Sequence, residues 1–241
     1  MLSKNQFKLI SNLRKKKFRI QNHLFIAEGI KVVEELISSK FKLHKLYCTS
    51  DYINRFDIDT IEIISDKELK IISEFTSPNQ VLGIFEIPDK EDIATKGITL
   101  VLDEINDPGN LGTIIRLCDW FDIDQIVCSS NTVDCFNPKV VQASMGSLSR
   151  VSIHYCDLKK FLEKETRPIY GALLNGENVY KTTLPKDQVL VMGNEANGIS
   201  EEVQKFITNK ITIPQFGKAQ STESLNVATA TAILLSELKR S

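Results

Sequence analysis

Apolar positions in the first third of the chain alternate between two periods. Across residues 5–17, Phe7, Leu9, Ile10 and Leu13 recur roughly at helical spacing, and residues 25–29 then read as a short strand. A second helical stripe follows at Ile30, Val33, Leu36 and Ile37, and residues 42–48 are strand-like. The alternation continues through residues 61–64, 66–75 and 81–87, which predicts a small α/β unit.

A proline and a charged run, Pro88-Asp89-Lys90-Glu91-Asp92, interrupt this pattern, and Lys96-Gly97 precedes a new apolar strand. A linker is expected at about residues 88–96, with one domain over 1–90 and a second over 97–241. In the second, strands are predicted at 98–102, 125–128, 168–174, 189–192 and 210–213. Runs this apolar, with little alternation, fit a parallel sheet covered on both faces, so the expected fold class is α/β.

Composition narrows the function classes. With 241 residues, 42% of them hydrophobic, the chain can bury a sizeable core. No run approaches 18 uninterrupted apolar residues and Met1 is not followed by a basic stub and apolar stretch, so a soluble cytoplasmic protein without a membrane partner is expected. The five cysteines form no C-x-x-C pair, and His23, His44 and His154 stand in unrelated contexts. Reduced thiols are therefore expected, and neither a metal site nor a Ser-His-Asp constellation.

The net charge of −1 argues against indiscriminate nucleic-acid binding but conceals an uneven distribution. Lys4, Lys8, Arg14, Lys15, Lys16, Lys17 and Arg19 lie within the first 24 residues, which contain no acid. Such a cluster can neutralise phosphates, or it can be a solvated helix face.

Three loops of the second domain carry candidate chemistry. After strand 98–102, Pro108-Gly109 is a turn dipeptide and Asn110 is a candidate cap for a helix beginning near Leu111. Arg116, in the second turn of that otherwise apolar helix, is expected to face the same loop end as Asn110. The second loop, Gly193-Asn194-Glu195-Ala196-Asn197-Gly198, allows a tight turn and close backbone approach to a ligand. It is neither a dinucleotide fingerprint nor a phosphate-binding P-loop. The third runs from Pro214 to Ser224-Leu225-Asn226, where Ser224 is a candidate N-cap and Asn226 needs a partner for its amide. Together the loops place Asn, Arg, Glu and Ser at the strand ends of one sheet, a set suited to orienting a hydroxyl and a phosphate.

In order and spacing these residues resemble a known family. Asn110 with Arg116, then Gly193-Asn194-Glu195-x-x-Gly198, then Ile213-Pro214 followed by Ser224-Leu225-Asn226-Val227-x-x-Ala230, look like the three motifs of the SpoU (TrmH-type) RNA 2'-O-ribose methyltransferases of the SPOUT superfamily. Phe25-x-x-Glu28-Gly29-x-Lys31 and Gln80-Val81-Leu82-Gly83 are similar to that family's amino-terminal substrate-binding domain, and residues 137–147 to the segment between its first two motifs.

The resemblance implies a small L30e-like amino-terminal α/β domain that grips RNA and a carboxyl-terminal SPOUT α/β domain with a mostly parallel sheet and a deep trefoil knot. It implies a homodimer that binds S-adenosylmethionine within the knot, around Leu173, Gly193, Asn194, Gly198, Ile213 and Leu225. The implied reaction is methyl transfer to a ribose 2'-hydroxyl of rRNA or tRNA. Arg116 would contact the target phosphate and assist deprotonation, Asn110 and Asn226 would fix local geometry, Glu195 would orient polar partners and Ser224 would position the reacting groups. Lys4, Arg14, Lys15, Lys16, Lys17 and Arg19 then become expected phosphate contacts. The stretch between Pro214 and Ser224 is a few residues longer than the common pattern, with Phe216, Lys218 and Glu223 where small residues are frequent. Two alternatives stay open on sequence alone: a non-catalytic RNA-binding protein that keeps the fold, and a SPOUT enzyme that methylates a base nitrogen.

Overall fold

Ser3 and Gln6 open the first helix with a reciprocal cap. Ser3 Oγ accepts from Gln6 N, Gln6 Oε1 accepts from Ser3 N, and helix α1 (Lys4–Leu13) follows. The structure, a computed structural model, describes residues 1–56, 61–75, 80–217 and 224–240. The chain divides into two units, Met1–Asp89 with Asp134–Ser149, and Lys90–Val133 with Arg150–Ser241.

In the first unit the predicted helix over 5–17 breaks at Lys15, whose backbone is extended, and α2 (Lys16–Asn22) starts afresh. The break turns Arg19 inward, where its Nη1 donates to the carbonyls of Leu13 and Arg14 at the end of α1 (both 2.9 Å). Strands β1 (Leu24–Glu28), β2 (Leu43–Cys48), β3 (Ile61–Ile63) and β4 (Val81–Glu86) form a sheet in the order β1-β4-β2-β3. Helices α3 (Ile30–Ile37) and α4 (Asp66–Ile72) connect them. Ile10 and Leu13 of α1 pack with Ile26, Leu69, Leu82 and Ile84 in one buried cluster. Glu28, from the motif that resembled a substrate-binding domain, is buried and accepts from Ser73 Oγ (2.5 Å) and Glu74 N (2.9 Å), tying the end of α4 to β1. Its burial pushes its carboxyl above the ordinary range.

The second unit is a six-stranded sheet, and every adjacent pair in it is parallel. In chain order its elements are β5 (Ile98–Leu102), α5 (Pro108–Trp120), β6 (Gln125–Ser129), then α6 (Pro138–Ser144), which belongs to the first unit, β7 (Ser152–Cys156), α7 (Leu158–Leu162), β8 (Ile169–Asn178), β9 (Gln188–Met192), α8 (Glu201–Gln204), β10 (Asn209–Thr212) and α9 (Val227–Arg240). The strand order is β10-β8-β9-β5-β6-β7. From β5 the chain moves one way to β6 and β7, and β8 to β10 lie on its other side. The β5/β9 boundary is thus a topological switch point, where loops at the carboxyl ends of strands diverge and leave a crevice. Buried α9 residues, among them Val227, Thr231, Leu234, Leu235 and Leu238, face inward, and the helix packs along α5.

Two further features depart from the sequence reading. Strand β7 was not anticipated, because as an edge strand it is only half-buried and carries no continuous apolar run. Residues 134–149, expected in the second domain, pack in the first unit. There the Phe136 ring lies 4.7 Å from that of Phe25, Val140 and Val141 of α6 are buried, and Asp134 pairs with Arg19. No helix among the described residues is long and apolar enough to cross a membrane.

Candidate functional site

Strands β8, β9 and β10 end at a common edge of the second unit, and the segments leaving them enclose a cavity of about 960 Å³. That is the upper end of the size range of small-molecule sites, roughly 300–1,000 Å³. Leu173, Ile213 and Leu225 contribute apolar walls, and residues 193–198 form one side. The β8 wall arises from an irregular ladder. Lys210 pairs with Gly171 but Ile211 with Glu177, so residues 172–176 leave the register and present Leu173 and Leu174 to the cavity.

The glycine loop is closed by backbone. Asn194 N donates to Gly198 O (3.0 Å) and Gly198 N to Asn194 O (2.8 Å). Gly193 is required by close approach, because a Cβ there would lie 2.2 Å from both Gly198 C and Ile199 N. Gly198 is required by its φ of 68°. The Asn194 side chain shapes the turn: Oδ1 accepts from the amides of Ala196 (2.8 Å) and Asn197 (3.2 Å), and Nδ2 donates to Glu104 O (2.8 Å). Its contribution to the cavity wall is therefore mainly geometric. Glu195 is left to point toward α5.

There it meets a polar chain that joins all three motif loops. Asn110 Nδ2 donates to Glu195 Oε1, and Asn110 Oδ1 accepts from Asn226 Nδ2 at 2.9 Å. Asp107, not Asn110, caps α5, its carboxylate accepting from Asn110 N at 2.8 Å. Relieved of capping, the Asn110 amide can bridge. At the other end Asn226, not Ser224, caps α9, its Oδ1 accepting from Ala228 N (3.0 Å) and Thr229 N (3.2 Å). Thus Asn226 has the amide partner that its position called for. Ser224 lines the cavity and is exposed.

Arg116 is not brought to this group. Six residues advance an α-helix by about 600°, which leaves Arg116 roughly 240° around α5 from Asn110 rather than on the same face. It is exposed, it is not among the residues lining the cavity, and its side chain makes no hydrogen bond or ion pair with another described residue. With Gly109, Thr113 and Trp120 it forms an exposed stripe along the helix.

The basic amino terminus also divides. Arg19, 2% exposed, pairs with Asp134, and Arg14 donates to the carbonyls of Ile72 (2.9 Å) and Ser73 (3.1 Å) and pairs with Glu74. These two expected phosphate contacts are both engaged by partners within their own unit, Arg19 buried and Arg14 half-buried. Lys4, Lys15, Lys16 and Lys17 are exposed. Lys218 and Glu223 of the third loop lie outside the described residues.

Sequence reasoning missed Asp103. Buried at 3% exposure directly after β5, it accepts from Ser200 N at 2.8 Å and ties the first loop to the end of the second. A carboxylate immediately following a buried strand was the available signal. Among the described residues no group of three His, Cys, Asp or Glu side chains is placed to hold a metal ion.

Fold and site together define an α/β protein with a ligand cavity and a polar cluster at the switch point of a parallel sheet. The chain belongs to the SpoU rRNA Methylase family, which matches residues 97–236, while residues 4–83 match the MRM3-like substrate binding domain. It is 30% identical over 234 residues to the 23S rRNA (guanosine(2553)-2'-O)-methyltransferase RlmP of Bacillus subtilis, covering 94% of this chain and 93% of that protein. Among solved structures, a TrmH-family protein from Porphyromonas gingivalis superposes with a TM-score of 0.92 at 38% identity, covering 100% of this chain and 99% of the other. An AdoMet-bound rRNA methyltransferase from Sinorhizobium meliloti does so with a TM-score of 0.87 at 29% identity, covering 100% and 96%.

Proposed function

We propose that this protein is an RNA methyltransferase that moves a methyl group from S-adenosylmethionine to a ribose 2'-hydroxyl of rRNA, with tRNA as the other candidate substrate. The observation that carries the reading is the polar chain Glu195–Asn110–Asn226 beside a large, largely apolar cavity. The cavity fits the cofactor in size and in its mix of apolar wall and backbone, and Leu173, Gly193, Gly198, Ile213 and Leu225 would hold it. When bound, S-adenosylmethionine supplies an electrophilic sulfonium methyl.

A ribose hydroxyl is a poor nucleophile at neutral pH, so these residues must orient it and help remove its proton. Glu195 and Asn110 are fixed against each other and present a rigid polar edge. Asn226 locks that edge to the start of α9, and Ser224 is placed to position the reacting groups. Arginine stays protonated, so the task proposed for Arg116 is to hold the phosphate next to the reacting ribose.

The exposed position of Arg116, away from its own cavity, supports a homodimer in which the α5 stripe meets a second copy. We also infer the trefoil knot that the family likeness implies, with α9 packed on α5 after the third loop, and a cytoplasmic location that goes with an rRNA substrate. The test is nucleoside digestion and mass spectrometry of rRNA and tRNA from cells with and without the gene. A gene-dependent 2'-O-methylnucleoside is expected; a methyl on a base, or none, overturns the proposal. Arg116→Ala should abolish transfer and leave S-adenosylmethionine affinity, read by calorimetry, largely intact. An equal loss of cofactor affinity would remove Arg116 from the RNA side.

A further inference from the structure

The segment after β10 climbs out of the cavity. Ile211 is 1% exposed, Ile213 and Pro214 are half-buried, and residues 215–217 are exposed, with the Phe216 side chain 83% open to solvent. Phe216 nevertheless lines the cavity, as does Leu174 at 75% exposure on the β8 wall. Two large apolar side chains thus stand open at the mouth of one pocket, while its deeper wall is furnished by residues such as Ile211, Met192 and Leu234. Exposed apolar surface around a pocket marks a place where a ligand is covered.

The occupant follows from the reaction, and the inference rests on the function proposed above. An acceptor hydroxyl has to enter from solvent through this mouth, and its ribose carries a base. A phenyl ring has no hydrogen-bonding group, so it cannot read base edges, but it offers a face to any base that has left its stack. We propose that Phe216, with Leu174 on the β8 wall, is a positioning platform on which the unpaired base of the target nucleotide stacks. It orients the ribose without choosing the base. Selection for an unpaired nucleotide follows, because a base within a helix has its faces already covered.

The experiment compares wild type with Phe216→Ala, Phe216→Leu and Phe216→Trp, using rRNA isolated from cells lacking the gene and labelled S-adenosylmethionine. Loss of one stacked base predicts that Phe216→Ala lowers kcat/KM for rRNA by about 5- to 150-fold, that Phe216→Leu falls with it, and that Phe216→Trp stays within about threefold of wild type. The Kd for S-adenosylmethionine without RNA, by calorimetry, should change by less than about twofold in all three. A matching loss of cofactor affinity would assign Phe216 to the cofactor, and full activity of Phe216→Leu would reduce it to generic apolar surface; either overturns the inference. If wild type itself methylates no RNA, the proposed function falls and this inference falls with it. If wild type is active and the variants match it, only the platform is lost.

Discussion

Gly193→Ala tests the cavity at its tightest point. The new Cβ would lie 2.2 Å from Gly198 C and Ile199 N and 2.5 Å from Gly198 O, all backbone atoms that cannot swing aside. Relief requires the two sides of the loop to separate by roughly 1 Å, which stretches both hydrogen bonds between Asn194 and Gly198. Overpacking of this kind costs about 1–3 kcal/mol, and each weakened bond about 0.5–1.5 kcal/mol, so the closed loop is disfavoured by roughly 2–6 kcal/mol. If the loop opens locally, the loss appears in ligand binding, on the order of 30-fold to 10⁴-fold in Kd. Gly198→Ala is the control. Nothing lies within 4 Å of its added Cβ, and only the left-handed backbone, φ 68°, penalises it, by about 1–2 kcal/mol. Calorimetric titration of both variants with S-adenosylmethionine, together with their melting curves, reads the difference. Wild-type affinity and melting temperature in Gly193→Ala, or equal damage from Gly198→Ala, would refute the close-approach argument.

Three further outcomes are expected. Arg19→Ala leaves Asp134 without its buried partner and should lower the urea stability of the first unit by about 3–5 kcal/mol, whereas alanine at Lys15, Lys16 and Lys17 together should cost little stability and flatten the salt dependence of rRNA binding. An unchanged salt slope would remove these lysines from the RNA contact. The chain's one tryptophan, Trp120, is 83% exposed on the α5 stripe, so its emission should shift to the blue as protein concentration drives dimerisation; a constant spectrum through a dimerisation seen by sedimentation would place the interface elsewhere. Burial holds the His154 imidazole below its ordinary pKa of 6.5, with Glu91 opposing the shift, so the fold favours the neutral ring. The unfolded chain then binds the extra proton, and this stabilisation is complete above pH 6.5 and lost as pH falls below it. Urea midpoints from about pH 7.5 down to about pH 5.5 should fall less steeply in His154→Gln than in wild type, and parallel profiles would contradict the assignment.

What could be read from the residues divides along physical lines. The central strands β5, β6 and β9 are buried on both faces, so their apolar runs announce them, whereas the half-buried edge strand β7 leaves no such signature. Loop chemistry was legible as motif: Gly193 and Gly198 both carry the backbone constraint that glycine suggests. Which side chain caps a helix was not. Asp107 and Asn226 take the positions for which Asn110 and Ser224 were candidates, because a cap depends on where the helix begins, to within one turn. Charge was the least transparent. Arg19 and Lys17 look alike in sequence, but Arg19 is held inward by the carbonyls of Leu13 and Arg14 beside the break at Lys15 and by Asp134, 115 positions away. The bridge from Asn110 to Asn226 spans 116 positions and has no local signal at all.

The helix α6 has a consequence for how such proteins can be taken apart. It lies inside the span that matches the methylase family, residues 97–236, yet its buried face, with Val140 and Val141, is satisfied in the other unit. The two units are therefore not beads that a single cut could separate. A fragment beginning near residue 97 would carry α6 and Phe136 with nothing of the first unit to cover them, and the amino-terminal piece would lose the partner of Arg19. Exchanging one unit for a relative's, by recombination or by design, would need three junctions instead of one, at about residues 90, 134 and 150.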